Sequence, residues 1–568
     1  MGGQRPRERW NSRVGLVLAV AGSAVGLGNF LRFPAEAAQN GGGAFLLPYL
    51  VSFLLMGLPL LWVEWAIGRH GGQFGLHSAP GVLSALGPQR WLKYLGVFGL
   101  FIQLAVVAFY CYIESWALAY TWHSVTGTFQ TTPAAEFFPR YLGVTEGSLF
   151  ALPGEALLFF AITVVLNVWI LSKGIAGGIE RVAKVGLPLL LLFGIVLAVR
   201  GLTLTPGVAP GVVESPLAGL NFIWQPDVSG LANPTTWLAA AGQVFFTLSV
   251  GVGSIACYAS YVGRDEDIAL NGATAGWMNE LVEIVLGSAI MIPIATAYLG
   301  LAAVQQATTG GDGFALGFLT LPALFAHWGA FGPVASVLWF GLLFLAGITS
   351  SLSLGQPVLA FLEDELEMSR RRGSVAFGAA AAALGFFCVW LFPGGAFDEF
   401  NFWAGTFCLV LFGLVEAFVF AWIFGIDRGW EELTRGAELR VPRVFRFVIR
   451  WITPPFLLLV FVAALIKPEA GDWGGAFAAL AAGDGWSLAA DSVIGKIVHA
   501  GSDEGWFDAA GEPTRRLVVD ATRLLLAAVF LGLLALVWRA WRRRGGLYRP
   551  GPAPGHGPGS STPPEGAP

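Results

Sequence analysis

The chain has 568 residues, of which 55% are hydrophobic and 12% charged, with a formal net charge of −4. Soluble domains carry about 25% charged residues, so a surface this poor in charge excludes a soluble enzyme, and the same hydrophobicity excludes intrinsic disorder. The 22 Trp and 44 Phe suit a polytopic membrane protein with aromatic residues at both interfaces, and near-neutrality argues against a nucleic-acid partner.

A hydrocarbon core about 30 Å thick needs ~20 apolar residues of helix. Such runs begin near Val14, Ala44, Tyr94, Glu155, Val182, Trp237, Trp277, Val334, Val375, Phe400, Phe447 and Leu517. Twelve spans would put both termini on one side. Arg5, Arg7, Arg9 and Arg13 precede the first run, and Arg539, Arg542, Arg543 and Arg544 end the last. Loops on that side are rich in Arg, including Arg370–Arg372, whereas the opposite loops carry Asp312, Asp398, Asp472, Asp484 and Asp508. The positive-inside rule therefore predicts cytoplasmic termini. Ala35-Glu36-Ala37 after an apolar run mimics a secretory signal, but glycines interrupt that run and eleven more follow, so it reads as the first helix. The organisation is a charged segment over 1–12, a core over 13–466 holding spans 1–11, a long external loop over 467–516, span 12 over 517–544, and a Pro/Gly/Ser-rich tail over 545–568 predicted to be disordered.

The four cysteines fall inside apolar runs, which excludes a disulfide framework and any Cys-x-x-Cys motif. The six histidines lie in loops, tails or near run ends, leaving no mid-span pair for haem or metal. No nucleophile–base pair is evident at membrane depth either, so an intramembrane enzyme has no candidates.

The first run, GLVLAVAGSAVGLGNFLRF, has Gly22, Gly26 and Gly28 at mid-membrane; the sixth, AGQVFFTLSVGVGSIACY, has Gly251 and Gly253 in the same place. Close helix packing would explain either run alone. Together they argue for more, because Ala24-Val25-Gly26-Leu27-Gly28 and Ser249-Val250-Gly251-Val252-Gly253 are near-copies five spans apart. Glycine-interrupted spans at corresponding positions of two halves point to a binding site at the repeat interface. The predicted fold is an all-α integral membrane protein of twelve helices, with spans 1–5 and 6–10 as an inverted repeat and spans 1 and 6 unwound at mid-membrane. Unwound backbone must face a cavity rather than lipid. Half-helix N-termini suit anions and C-terminal carbonyls suit cations. A zwitterion with a monovalent cation meets both demands.

Through the motifs AGSAVGLGNFLRFP, NGGGAFLLPY, YCYIESW, FFTLSVGVGS, MNELVE and AGITSS, roughly residues 7 to 465 resemble the neurotransmitter:sodium symporter family, most closely its bacterial amino-acid transporters such as the leucine transporter. The resemblance implies sodium-coupled import of an amino acid by alternating access across the plasma (inner) membrane, with two Na⁺ sites and no organic cofactor. The partners would be the amino acid and the lipid bilayer, with a homodimer left open. The first sodium would take the Ala24 carbonyl, Asn29, Thr247, Asn279 and the substrate carboxylate. The second would take the carbonyls of Gly22, Val25 and Ala346 and the hydroxyls of Thr349 and Ser350. Neutral oxygens of this kind suit a monovalent ion, whereas calcium would gather carboxylates. Leu27, Gly28 and Tyr110 would hold the substrate carboxylate; Ala24, Phe246, Thr247 and Ser249 would hold its ammonium. Monoamine-transporting relatives have an aspartate where this chain has Gly26, so the substrate would bring its own carboxylate. Ser23, Val106, Phe246, Val252, Ser351 and Leu354 would line the side-chain pocket. Smaller residues than the relative's at Val252 and Gly355 would make room for large apolar or aromatic side chains.

Glu283 lies in an apolar span, where a carboxylate defaults to a functional role. Chloride-dependent relatives carry serine there, so Glu283 would supply the negative charge and make transport chloride-independent. Glu64 is expected to hydrogen-bond the unwound backbone of span 6. Arg32 would close the external side; its usual aspartate partner is Asn401 here, leaving Asp398 as the substitute. Arg7 and Asp364 match the internal gate. A non-transporting receptor and a carrier of small zwitterions remain open alternatives.

Overall fold

The computed structural model describes residues 8–144, 150–308, 313–498 and 512–543. These residues form helices without a strand; one antiparallel bridge joins Pro468 and Leu488. The predicted tail over 545–568 and Arg7 lie outside the described residues. Among those described, ten helices are long and apolar enough to cross a membrane. In chain order the elements used below are α1 (Arg13–Ala24), α2 (Leu27–Phe30) and α3 (Arg32–Gln39), then α4 (Gly43–Gln73), α5 (Leu92–Thr126), α6 (Gly154–Leu171) and α7 (Ile175–Leu202). There follow α8 (Pro234–Leu248) and α9 (Ser254–Ala259), then α10 (Ile268–Leu299), α11 (Gly313–Asp364), α12 (Arg370–Trp390), α13 (Ala396–Thr434) and α14 (Val444–Ile466). The chain continues through α15 (Trp473–Ala482) to α16 (Glu512–Arg543).

The first and sixth apolar runs are absent from the ten because each is cut short. α1 stops at Ala24; Val25 (φ −73°, ψ 85°) and Gly26 (φ −113°, ψ −166°) are non-helical, and α2 resumes at Leu27. α8 stops at Leu248, and Ser249 (φ 54°), Gly251 (φ 71°) and Gly253 (φ 81°) all take left-handed backbone before α9. Glycine accepts that region without a Cβ penalty, which is why a glycine stands at two of the three positions.

α5 is the buried axis. Its apolar stretch is 94% covered by protein, against 22% for α16 at the periphery. Trp65, Trp116, Trp339, Tyr49 and Tyr112 are among the largest fully buried side chains of the bundle. Several predicted boundaries move, α7 beginning at Ile175 rather than near Val182 and α11 at Gly313 rather than near Val334. α10 begins at Ile268, nine residues before the predicted Trp277, because the Asp267 side chain caps it by accepting from the Leu270 N–H at 2.8 Å. α16 begins at Glu512 rather than 517. α10 also widens into a π-helical turn over Leu281–Gly287, a form frequent at functional sites, and Glu283 sits within it.

Candidate functional site

The two breaks face one another. The Ser249 hydroxyl donates to the Ser23 carbonyl at 3.0 Å, and the Asn29 amide donates to the Thr247 hydroxyl at 3.1 Å. Between them lies a cavity of about 50 Å³ lined by Ser23, Ala24, Gly26, Gly28, Val106, Tyr110, Phe246, Thr247, Ser249, Val252 and Leu354, with Asn29 and Ser350 at its edge. Gly405 and Leu409 of α13 complete the wall; the sequence offered no signal for them beyond their place in an apolar run. No charged side chain lines it among the described residues. Gly26 is a steric requirement here: a Cβ would stand 2.9 Å from both the Tyr110 and Ser350 hydroxyls.

Leu27 faces the site through its backbone, as expected of it, and two other residues, Ser351 and Gly355, sit differently. The Leu27 side chain borders a second cavity, while its N–H donates to the Tyr110 hydroxyl at 3.2 Å. Ser351 turns away from the pocket, donating to Asn167 Oδ1 at 2.8 Å. The Asn167 amide in turn reaches the Glu114 carboxylate at 3.3 and 3.4 Å. Neighbours on a helix point about 100° apart, so Ser350 and Ser351 cannot share a face. Gly355 faces Leu171 and Phe377, whose atoms lie 2.7 and 2.9 Å from where its Cβ would be. It adds nothing to the pocket, and the argument for a wider pocket rests on Val252.

At the inner flank, α11 hydroxyls meet the last turn of α1. Ser350 Oγ lies 3.5 Å from the Gly22 carbonyl and 3.1 Å from that of Ala346, and the Thr349 hydroxyl donates to Ala346 O at 3.1 Å. Thr349 Cβ lies 3.3 Å from the position a Gly22 side chain would start. Because α1 ends at Ala24 and the Gly26 N–H turns to Asn29, the carbonyls of Gly22 through Val25 have no helical N–H one turn on, which leaves them the acceptor capacity a cation would use.

At the outer flank, Asn29 and Asn279 are joined at 2.8 Å, and Thr247 and Asn279 at 3.0 Å. Beside them Glu283 is fully buried. Its carboxylate accepts from the Tyr49 hydroxyl at 3.0 Å, from Asn279 at 3.3 Å and from Asn29 at 3.4 Å, and also from Gln243 and Thr247. Glu280, one turn earlier and also buried, accepts from Asn279 at 3.4 Å. It stands in the MNELVE motif but sequence reasoning passed over it. Glu64 accepts from the Gly251 N–H at 2.6 Å, tying α4 to the second break. A further buried carboxylate, Glu416, was also missed; its Oε2 and that of Glu64 have no partner among the described residues.

A cavity of about 220 Å³ lies on the other side of Phe246, lined by Arg32, Glu36, Gln39, Asp398 and Asn401 among others. Arg32 does not pair with Asp398. Its guanidinium meets Glu36 at 3.4 Å and stacks over Phe246 at 4.8 Å. Glu36 lies one turn along the same helix, so pairing there orders fewer degrees of freedom than bridging the cavity would. At the end of the bundle that carries Trp10, Asp364 accepts from the His77 backbone N–H at 3.0 Å. Trp10 donates to the Tyr258 carbonyl at 3.1 Å, His77 stacks on Tyr261 at 4.1 Å, and Gln356 bonds the Tyr261 hydroxyl at 3.1 Å. These rings and bonds tie the helices together at that end.

The sequence model of the sodium:neurotransmitter symporter family matches residues 7–132 and 126–500. The chain belongs to this family. It is a transporter, not an enzyme, in a family that works with sodium and is integral to the membrane. An uncharacterised sodium-dependent transporter of Methanocaldococcus jannaschii is 30% identical over 466 residues, covering 80% of this chain and 89% of that one. The sodium-dependent dopamine transporter of Bos taurus is 28% identical over 544 residues, 87% of this chain and 74% of that one. Among solved structures, MhsT in complex with L-phenylalanine matches with a TM-score of 0.69 and 30% identity, covering 81% of this chain and all of that one.

Proposed function

We propose that this transporter couples inward Na⁺ movement to import of a zwitterionic amino acid with a large apolar or aromatic side chain, and does so without chloride. The observation that carries this reading is the pairing of two broken helices around a cavity whose polar groups are backbone, hydroxyl and amide, with no charged side chain. Such a cavity fits a ligand that carries both charges itself. Leu27 and Gly28 N–H groups and Tyr110 suit its carboxylate. Carbonyls of Ala24, Phe246 and Thr247, with Ser249, suit its ammonium. Val106, Val252 and Leu354 offer the apolar wall, and the L-phenylalanine bound by MhsT supports an aromatic occupant.

The first sodium would sit among Ala24, Asn29, Thr247 and Asn279, and the second among Gly22, Val25, Ala346, Thr349 and Ser350. Two unit charges about 3 Å apart attract by roughly 5 kcal/mol at an effective dielectric of 20. A substrate carboxylate ligating the first sodium would therefore make each ligand a condition for the other, and by linkage the help is reciprocal. Glu283, beside that site, supplies the fixed negative charge. Twelve spans in a five-plus-five inverted repeat, with both termini cytoplasmic in the inner membrane, complete the proposal. The segment over 1–12 with Arg7 and Asp364 would seal the inside; Arg32 would seal the outside, taking its carboxylate from Glu36 or, on closure, from Asp398. Swinging Phe246, which lines both cavities, would join them.

Purified protein in proteoliposomes, given an inward gradient of Na⁺ or choline without chloride, tests this with a labelled amino-acid panel. The expected result is Na⁺-dependent accumulation of Phe, Tyr, Trp, Leu or Met. Saturable binding without accumulation would identify a receptor, accumulation of small zwitterions alone would overturn the substrate class, and uptake only with chloride would overturn the role of Glu283.

A further inference from the structure

The loop after α14 is closed at its base. Trp486 donates to the carbonyl of Ile466, the last residue of α14, at 2.9 Å. Glu469 N–H meets Ser487 O at 3.1 Å and Ala489 N–H meets Lys467 O at 2.9 Å. A second tie runs from the Thr235 hydroxyl, at the start of α8, to Gly471 O at 3.0 Å. Both attachments are at ends of membrane helices, so what lies between them is held at that level. What lies between them is α15, ten residues without a charge. Trp473, Phe477 and Leu480 fall on one stripe by their spacing of four and three. Trp473 and Phe477 pack on the Trp486 ring, with centroids 6.1 and 5.3 Å away. Even so no residue of α15 is buried, and Phe477 and Leu480 are 59% and 53% exposed. A lone helix of this length is marginal in water, and two glycines in its first turn weaken it further.

We propose that α15 is an interfacial helix, lying in the boundary between headgroups and acyl chains of the outer leaflet and taking phospholipid as its partner. Continuity supports lipid. α14 turns Leu458, Leu459 and Val462 outward, and α15 packs on Trp486, which is bonded to the final residue of that helix. Trp473 and Trp486 stand where tryptophans of a membrane boundary belong, and an apolar stripe lying in that plane is how such helices bind. A second copy of the chain is disfavoured by size. A ten-residue helix is about 15 Å long, and one face of it falls far short of the ~800 Å² per partner that a stable interface buries. The side of the membrane rests on the orientation proposed above; contact with lipid does not.

The test uses the full chain in phosphatidylcholine–phosphatidylglycerol vesicles, spin-labelled singly at Phe477→Cys, Leu480→Cys, Leu459→Cys (lipid-facing reference) or Asp484→Cys (aqueous reference). The native cysteines are buried, and unsubstituted protein carried through labelling gives the background. Sodium-dependent uptake by each variant confirms that it folds. Relaxation by oxygen exceeding that by a water-soluble nickel chelate several-fold at 477 and 480, approaching position 459, is the expected result. Nickel accessibility equal to that at position 484 would overturn the proposal. So would shielding from both reagents with spin–spin broadening that disappears on dilution with unlabelled protein, which would identify a second copy instead.

Discussion

The two broken helices carry nearly the same five residues yet are held open differently. The first break is two residues long, has no left-handed backbone, and is largely stitched by its own chain: Asn29 accepts from Gly26 N–H at 2.8 Å, and Val25 N–H returns to Ala21 O at 2.6 Å. The second spans Ser249–Gly253 with three positive φ angles, and other helices hold it. Glu64 of α4 takes Gly251 N–H, Gln103 of α5 gives a bond to Val252 O at 2.8 Å, and Ser249 reaches Ser23 O. A self-capped break can travel as a unit with its own helix. A break capped from α4 and α5 is anchored to the helices around it, so any movement of α8 and α9 must work against Glu64 and Gln103.

That contrast is broken most severely at Gly251. Alanine there must hold φ 71° and would put its Cβ 2.7 Å from the Leu409 carbonyl oxygen, a backbone atom that cannot swing aside. Left-handed backbone alone costs roughly 1–2 kcal/mol. Gly251→Ala is expected to abolish uptake and lower the melting temperature in detergent. Gly26→Ala, whose Cβ meets side-chain oxygens of Tyr110 and Ser350 at 2.9 Å rather than backbone, should keep its fold by shifting those side chains and lose substrate affinity about tenfold or more. Equal melting temperatures for the two would show the breaks to be mechanically alike.

Removing the cap is the next largest change. Glu64→Ala leaves a buried N–H of the second break unpaired, a loss of about 1–3 kcal/mol, read as reduced thermal stability and slower turnover with little change in sodium affinity. Asn29→Ala acts on the self-capped break and on the proposed first sodium site together, so its main effect should be on the sodium concentration for half-maximal uptake.

The breaks were legible because repeated glycine at mid-membrane has few uses, and most lining residues came from the family resemblance that the two segments carry. What failed shares one cause: which way a side chain points. Ser351 and Gly355 were placed by the family resemblance, but rotation about a helix sends Ser351 to Asn167 and Gly355 to Phe377. Glu416 was invisible because nothing in an apolar run shows that it lies on the same side as Glu64. Glu36 was read only as part of a false cleavage site, although its four-residue spacing from Arg32 was available. The loop over 467–516 has helical patterning, but its closure on Ile466 depends on contacts between residues up to 22 apart.

Glu283 sharpens the comparison from the first break's side, since it touches both Asn29 and Thr247. In Glu283→Ser, uptake without chloride is expected to fall about tenfold and to return when chloride is supplied, one tenfold step being about 1.4 kcal/mol. Uptake that remains chloride-independent would remove the carboxylate from the transport cycle.

The smallest effect belongs to Arg32, which sits one turn beyond the first break. Its pair with Glu36 is partly exposed and spans 3.4 Å, a class worth about 0–1 kcal/mol. Glu36→Gln should therefore change external substrate affinity by about fivefold at most. The direction is informative. If Glu36 restrains Arg32 on its own helix, freeing the guanidinium to reach Asp398 across the cavity favours the closed state, and apparent affinity rises. Asp398→Asn should lower it, and in the double variant the gain from Glu36→Gln should vanish. An unchanged gain in the double variant would mean that Arg32 closes the cavity without either carboxylate, through its stacking on Phe246 alone.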